Sequence, residues 1–229
     1  MLFEWLRPSR LRPLVDPYNW RNFNQFNMAA LERCLLCQRS CVTSRLCAPC
    51  TGDLPWNIHP VSRGLPRNCS AFAAFRYEFP ISRLIWSLKF KHNAGVGQVL
   101  GQLMADALWA RQFSGMLICS VPLSFRRQAS RGFNQSAILA TALAEKLGCA
   151  LDLISLRRVR HTVSQRGEDR VARARNVRDA FTAASAVAGQ RIVLVDDVMT
   201  TGATLLSARR ALLQAGAAEV SLLACAAVV

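Results

Sequence analysis

Apolar and polar positions alternate along this chain in blocks whose period changes. Ile192 to Val195 is a short, uncharged and mostly β-branched run, the pattern of a strand buried on both faces of a parallel sheet. Ala71 to Tyr77 reads as another strand, Met116 to Val121 as a third that stops at Pro122, and a last one is expected over Val220 to Ala224. Between them the spacing lengthens to that of a helix. Ile81, Leu84, Ile85 and Leu88 share one face and lead into Lys89-Phe90-Lys91, and a further helix is expected over Val96 to Trp109. Gln135 to Leu147 puts Ile138, Leu139, Ala142, Leu143 and Leu147 on one face, with Asn134 as N-cap and Gly148 as stop. Thr204 to Ala215, followed by Gly216, is the last helix. Strand and helix alternate, which predicts an α/β fold: a mostly parallel sheet flanked by helices on both faces. Residues 1 to 27 show no periodic apolar face, and residues 51 to 70, broken by Gly52, Pro55, Pro60, Gly64 and Pro66, read as a linker.

With 229 residues the chain can hold one full domain and a small module. The most apolar stretches, 136–147 and 211–229, are interrupted by Glu145, Lys146, Gln214 and Glu219, so no membrane-spanning helix is expected. The N-terminus lacks the pattern of a secretory signal. A cytoplasmic location follows as the expectation, with cysteines reduced and clustered ones acting as metal ligands. The net charge of +15 points to polyanions, anionic headgroups or phosphorylated small molecules as partners.

Cys34-Leu-Leu-Cys37 and Cys47-Ala-Pro-Cys50 place four thiolates at the spacing of a tetrahedral zinc site. A module this small needs the metal to fold, and four thiolates fill its shell, so the zinc is structural. A redox reading needs a thioredoxin-like strand–helix context that the sequence lacks. Cys41 reads as a spectator, and Cys69, Cys119, Cys149 and Cys225 as core residues. Three segments are expected: an N-terminal extension over 1–33 with no assigned role, a four-cysteine zinc-binding module over 34–56 and the main domain over 71–229. Met28, just ahead of the first cysteine pair, is an alternative start.

Asp196 and Asp197 follow the run ending at Val195, at the strand end where open α/β folds bind ligands. A carboxylate pair there can accept from vicinal ribose hydroxyls, directly or through a magnesium ion. Thr200, Thr201, Gly202, Ala203 and Thr204 are small. They let the backbone approach a phosphate, and the helix that follows offers unpaired N–H groups. The plain alternative is an Asp-rich turn before a capped helix. Neither Gly-x-x-x-x-Gly-Lys-Ser/Thr nor Gly-x-Gly-x-x-Gly after a strand is present.

Two basic segments complete the chemistry. Arg126, Arg127 and Arg131 leave the end of the Met116–Val121 strand and precede Gly132; they read as ligands for pyrophosphate or a nucleic-acid phosphate, against a solvated basic loop. The stretch from Arg157 to Phe181, with Arg170 and Arg175, is long, charged and weakly apolar. It can close over a ligand as a lid or track a single-stranded backbone. Phe125, Phe133 and Phe181 are stacking candidates, although core packing is the commoner use.

Val195-Asp-Asp-Val-Met-Thr-Thr-Gly-Ala-Thr204 resembles the 5-phosphoribosyl-1-pyrophosphate (PRPP) motif of type I phosphoribosyltransferases. Taken in order with the four cysteines, Arg131-Gly-Phe-Asn-Gln135 and the Thr162…Gln165…Arg175-Asn176…Phe181 spacing, it resembles the ComF family of competence proteins, also called the GntX type, from residue 34 onward. The resemblance implies a zinc-ribbon-like N-terminal module joined to a type I phosphoribosyltransferase-like fold, and a link to DNA uptake in natural transformation or to use of DNA as a nutrient. It implies PRPP with magnesium as ligand, single-stranded DNA as partner, and a cytoplasmic place peripheral to the inner membrane beside the uptake machinery. The alternative function is an active phosphoribosyltransferase with Asp196 and Asp197 as its catalytic pair, acting on a nucleobase or amine acceptor. No base-binding hood is recognisable.

Overall fold

The computed structural model describes residues 33–41, 45–62, 65–66, 68–107, 110–159 and 180–228, with 111 and 125–127 as backbone only. Expectations for residues 1–32 and for the lid residues 160–179, Arg170 and Arg175 included, lie outside the described residues. In chain order the elements are α1 (Ala48–Gly52), β1 (Ala71–Arg76), α2 (Ile81–Phe90), α3 (Ala94–Asp106), β2 (Leu117–Ser120), α4 (Phe125–Arg131), α5 (Gln135–Leu147), β3 (Leu151–Asp152), β4 (Leu156–Arg158), β5 (Phe181–Ala183), β6 (Arg191–Met199), α6 (Ala203–Gln214) and β7 (Glu219–Ala227).

Five strands form one sheet in the order β1-β7-β6-β2-β3, and every pairing in it is parallel. Side chains alternate across it, as the period of a strand dictates. Val193, Val195, Leu223 and Cys225 enter a core shared with α2, α3 and α5, while Ile192, Leu194, Val220 and Leu222 enter a second core under α6. Close packing of α3 on α5 depends on Gly101, where a Cβ would lie 2.6 Å from the Leu139 carbonyl oxygen and 2.7 Å from the Ala142 Cβ. β4 and β5 form a separate antiparallel pair that joins Arg158 to Phe181. The two ends of the expected lid segment are therefore fastened together at its base.

The fold class matches the sequence pattern, with four local differences. β6 runs on through Asp196 and Asp197 to Met199 because β7 is equally long and continues the ladder, pairing Asp196 with Ala224 and Met199 with Ala227. The basic stretch after β2 is the short helix α4, stopped by Gly132 at φ 72°, not a loop. α3 ends three residues before Trp109, as Ala107 turns extended at ψ 143°. The linker is anchored at Trp56, which bridges Phe75 on β1 with ring centroids 4.6 Å apart. The cysteine module is docked on the main domain: Cys34, Leu46 and Leu54 are buried in the cluster that holds Phe75, Ile81 and Leu88. Among the described residues no helix is long and apolar enough to cross a membrane.

Candidate functional site

The two acids sit side by side at the C-terminal end of β6, and each is held by a residue at the start of α5. Asp197 points into the core below α2 and α5, where Lys89 Nζ lies 2.9 Å from its Oδ1 and Gln135 Nε2 donates to its Oδ2 at 2.7 Å. It is 6% exposed, and both its oxygens are engaged. Asp196 is half-buried; its Oδ1 accepts from Ser136 Oγ at 2.8 Å and from the Asp197 N–H at 2.9 Å. Among the described residues its Oδ2 accepts no hydrogen bond. Burial, and then the Asp197 charge beside it, push the Asp196 carboxyl up to about 7, against the Ser136 and backbone hydrogen bonds that favour its charged form. Gln135 Oε1 is buried beside this pair and has no donor. A buried acceptor left alone is costly. A ribose hydroxyl or a magnesium-bound water could donate to Asp196 Oδ2, so this open carboxylate oxygen fits both.

The loop after β6 is shaped by one glycine. Gly202 is left-handed at φ 72° and buried, and a Cβ there would meet Leu65 Cδ2 at 2.7 Å. It caps α6, whose first residue Ala203 directs its N–H at Thr201 Oγ1, a long 3.4 Å. Thr200 is exposed, and Thr201, Ala203 and Thr204 are half-buried. The first-turn N–H groups of a helix lack internal partners and carry partial positive charge. The bend therefore carries threonine hydroxyls and the first-turn donors of α6 directly after the strand that holds Asp196.

The Arg131–Gln135 motif explains itself residue by residue. The Arg131 guanidinium lies over the Phe90 ring at 5.4 Å. Gly132 ends α4, and Phe133 is buried edge-on to His92. Asn134 accepts from the Ser136 N–H at 3.1 Å and donates from Nδ2 to the Val121 carbonyl at 3.0 Å, tying the start of α5 to the end of β2. Gln135 and Ser136 then reach the acids. Phe133 and Phe181 are core residues at 7% and 5% exposure. Arg126 and Arg127 lie on α4, immediately after the strand that neighbours β6. Sequence reasoning missed Lys89 and Ser136. The one available signal for Lys89 was its place straight after the buried Leu88, where a cation has to find a partner.

The second cluster is the cysteine set. Sγ atoms of Cys34, Cys37, Cys47 and Cys50 all lie within 4.8 Å of one another, with Cys37 and Cys47 3.6 Å apart. A tetrahedral zinc with bonds near 2.3 Å holds its sulfurs about 3.8 Å apart, so the four thiols need close by no more than about 1 Å to hold zinc. Burial of Cys34 is outweighed by the N–H groups of Cys37, Cys47 and Leu36, which hold its thiol at about 6. The Cys47 sulfur, followed by burial, pushes Cys50 up. A metal ion would remove that opposition by taking all four as thiolates. α1 forms the second knuckle's support, with Pro49 in its first turn. Cys41 stays outside the set, its Sγ 3.6 Å from the Arg39 carbonyl. Cys119 and Cys225 are buried, and burial raises both thiols.

Residues 134–228 match the phosphoribosyl transferase domain family. The DNA utilization protein YhgH of Escherichia coli (strain K12) is 35% identical over 196 residues, 82% of this chain and 86% of that protein. YhgH of Salmonella typhimurium is 41% identical over 149 residues, 63% of this chain and 66% of the relative. Competence protein F of Haemophilus influenzae is 29% identical over 198 residues, 82% of this chain and 86% of the relative. A parallel sheet that ends in an acid pair and a glycine-capped helix, similarity across most of the length of these proteins, and the domain match together show that the chain belongs to the ComF/GntX family, with a type I phosphoribosyltransferase fold.

Proposed function

We propose that this protein binds PRPP or a related phosphosugar at the end of β6, and acts with single-stranded DNA in DNA uptake for natural transformation or in use of DNA as a nutrient. The observation that carries the reading is the asymmetry of the acid pair. Asp197 is bound on both oxygens, while Asp196 has Oδ2 open among the described residues, on the strand that leads into the threonine-bearing bend. Asp196 is then the carboxylate for the ribose hydroxyls and magnesium, and Asp197, held by Lys89 and Gln135, keeps it in place. Thr200, Thr201, Gly202, Ala203 and Thr204 take the 5-phosphate. Arg126, Arg127 and Arg131, with Arg170 and Arg175 of the lid, meet pyrophosphate or DNA phosphates. When bound, magnesium supplies charge neutralisation at the pyrophosphate, and zinc on the four cysteines holds the N-terminal module. The DNA part is supported by the names of the relatives and by the +15 charge. On this reading the protein works on the cytoplasmic side of the inner membrane, next to the uptake machinery.

Titration calorimetry with PRPP and magnesium tests the site. Asp196→Asn should weaken binding roughly 10- to 100-fold, the loss of a charge-assisted hydrogen-bond acceptor, with the fold intact. Unchanged affinity would refute the assignment. Pyrophosphate release from bound PRPP with candidate acceptors separates a transferase from a protein that only senses the ligand.

A further inference from the structure

The outer side of α2 carries a row of residues that the phosphosugar site does not use. Ile81, Leu84, Ile85 and Leu88 fill the core from its inner side. Arg83, Trp86 and Phe90 recur outside at helical spacing, Phe79 stands just ahead of the helix, and the rings of Phe79, Trp86 and Phe90 are 73%, 49% and 57% exposed. A helix apolar on both sides has a second surface to cover. Cations already sit against these rings: Lys91 Nζ is 5.5 Å from the Trp86 ring centre and the Arg131 guanidinium 5.4 Å from that of Phe90, with the two rings 5.9 Å apart. Beside the row lies a groove of about 830 Å³ between α2 and the cysteine module, lined by Leu35, Leu36, Phe79, Arg83, Trp86 and Lys91 among others, with Asp53 its one acid among the described residues. Lys89, between Leu88 and Phe90, turns inward to Asp197 and takes no part in the row.

We infer that this face of α2, with Lys91 and Arg131, is a docking surface for single-stranded nucleic acid, whose bases stack on Phe79, Trp86 and Phe90 and whose phosphates meet Arg83, Lys91 and Arg131. The inference rests on the DNA reading above and gives it a location separate from the lid. Interleaved rings and cations are how proteins hold single strands without reading sequence. A protein partner fits less well, because lysine is depleted from protein interfaces and here one covers the central tryptophan. The net charge of +15 favours the same partner.

Fluorescence anisotropy with a labelled oligothymidylate and the full chain tests the surface. The native protein binds, with affinity falling steeply as salt rises. Trp86→Ala and Phe90→Ala each weaken binding roughly tenfold, Trp86→Phe retains it, the two Trp86 variants keep PRPP affinity unchanged, and all three keep the circular dichroism unchanged. Alanine variants that bind as tightly as the native protein overturn the surface while leaving DNA binding in place. A native protein that does not bind the oligonucleotide overturns both. A native dimer in sedimentation that Trp86→Ala dissolves, with oligonucleotide affinity unaltered, makes the occupant a second copy of the chain and also overturns the inference.

Discussion

The four thiols and the two carboxylates are both clusters of acids close together in the chain, but they are assembled in opposite ways. The cysteine set is complete within one short segment. Its knuckle spacing brings the sulfurs within 4.8 Å, and no distant residue is needed to define it. The acid pair is adjacent in sequence and in space, but its members differ because of partners far away in the chain. Gln135 and Ser136 come from 62 and 60 positions earlier, and Lys89 from another helix altogether. The lesson is that spacing defines a metal site, whereas the roles of a carboxylate pair are assigned by what packs around it.

The largest expected effect is loss of metal. Zinc removal by a chelator, or Cys34→Ser, should free residues 34–56 from the main domain, because Cys34 is both a ligand candidate and fully buried against it. Hydrogen exchange should show protection lost there and on the adjoining face of α2, with the sheet still protected. Protection lost across β6 and β7 as well would break the comparison, since the module would then not be self-contained.

Next comes Asp197→Asn, which leaves Lys89 partly buried without its counter-charge. A stability loss of about 3 kcal/mol is expected in denaturant unfolding, with Lys89→Met in the same chain recovering much of it. Asp196→Asn, by contrast, should cost PRPP affinity and little stability. Equal stability losses in the two variants would abolish the division of labour.

The smallest effect is in pH. Asp196 holds its proton more tightly in the folded chain than in the unfolded one, so the linked stability is present at acidic pH and is lost as pH rises through about 7. Zinc-loaded protein without magnesium should melt at falling temperature over that window, magnesium should counter the fall, and Asp196→Asn should flatten it. A native profile as flat as the variant's would show that neither burial nor the Asp197 charge raises the Asp196 carboxyl.

Much of the fold was legible because burial imposes a period. The run at Ile192–Val195, the inner face of α2 and the caps Asn134 and Gly148 are local patterns that tertiary packing merely used. The extension of β6 through its acids was not legible: charged residues argue against a strand, and only the matching length of β7 overrides that. Nor did the basic run after β2 announce α4. The outward aromatic row on α2 was hidden by its own helix, since the inner face accounted for the periodicity.

The sequence by itself determined the parallel α/β fold, the four-thiol set and the glycine-threonine bend after the acids, because each depends on residues near one another in the chain. Tertiary structure alone decided which acid is free and which is held, how the cysteine module is seated, and that α2 shows rings to solvent. Those outcomes depend on which distant side chains come within hydrogen-bonding or contact distance, and distance through space is not written in spacing along the chain.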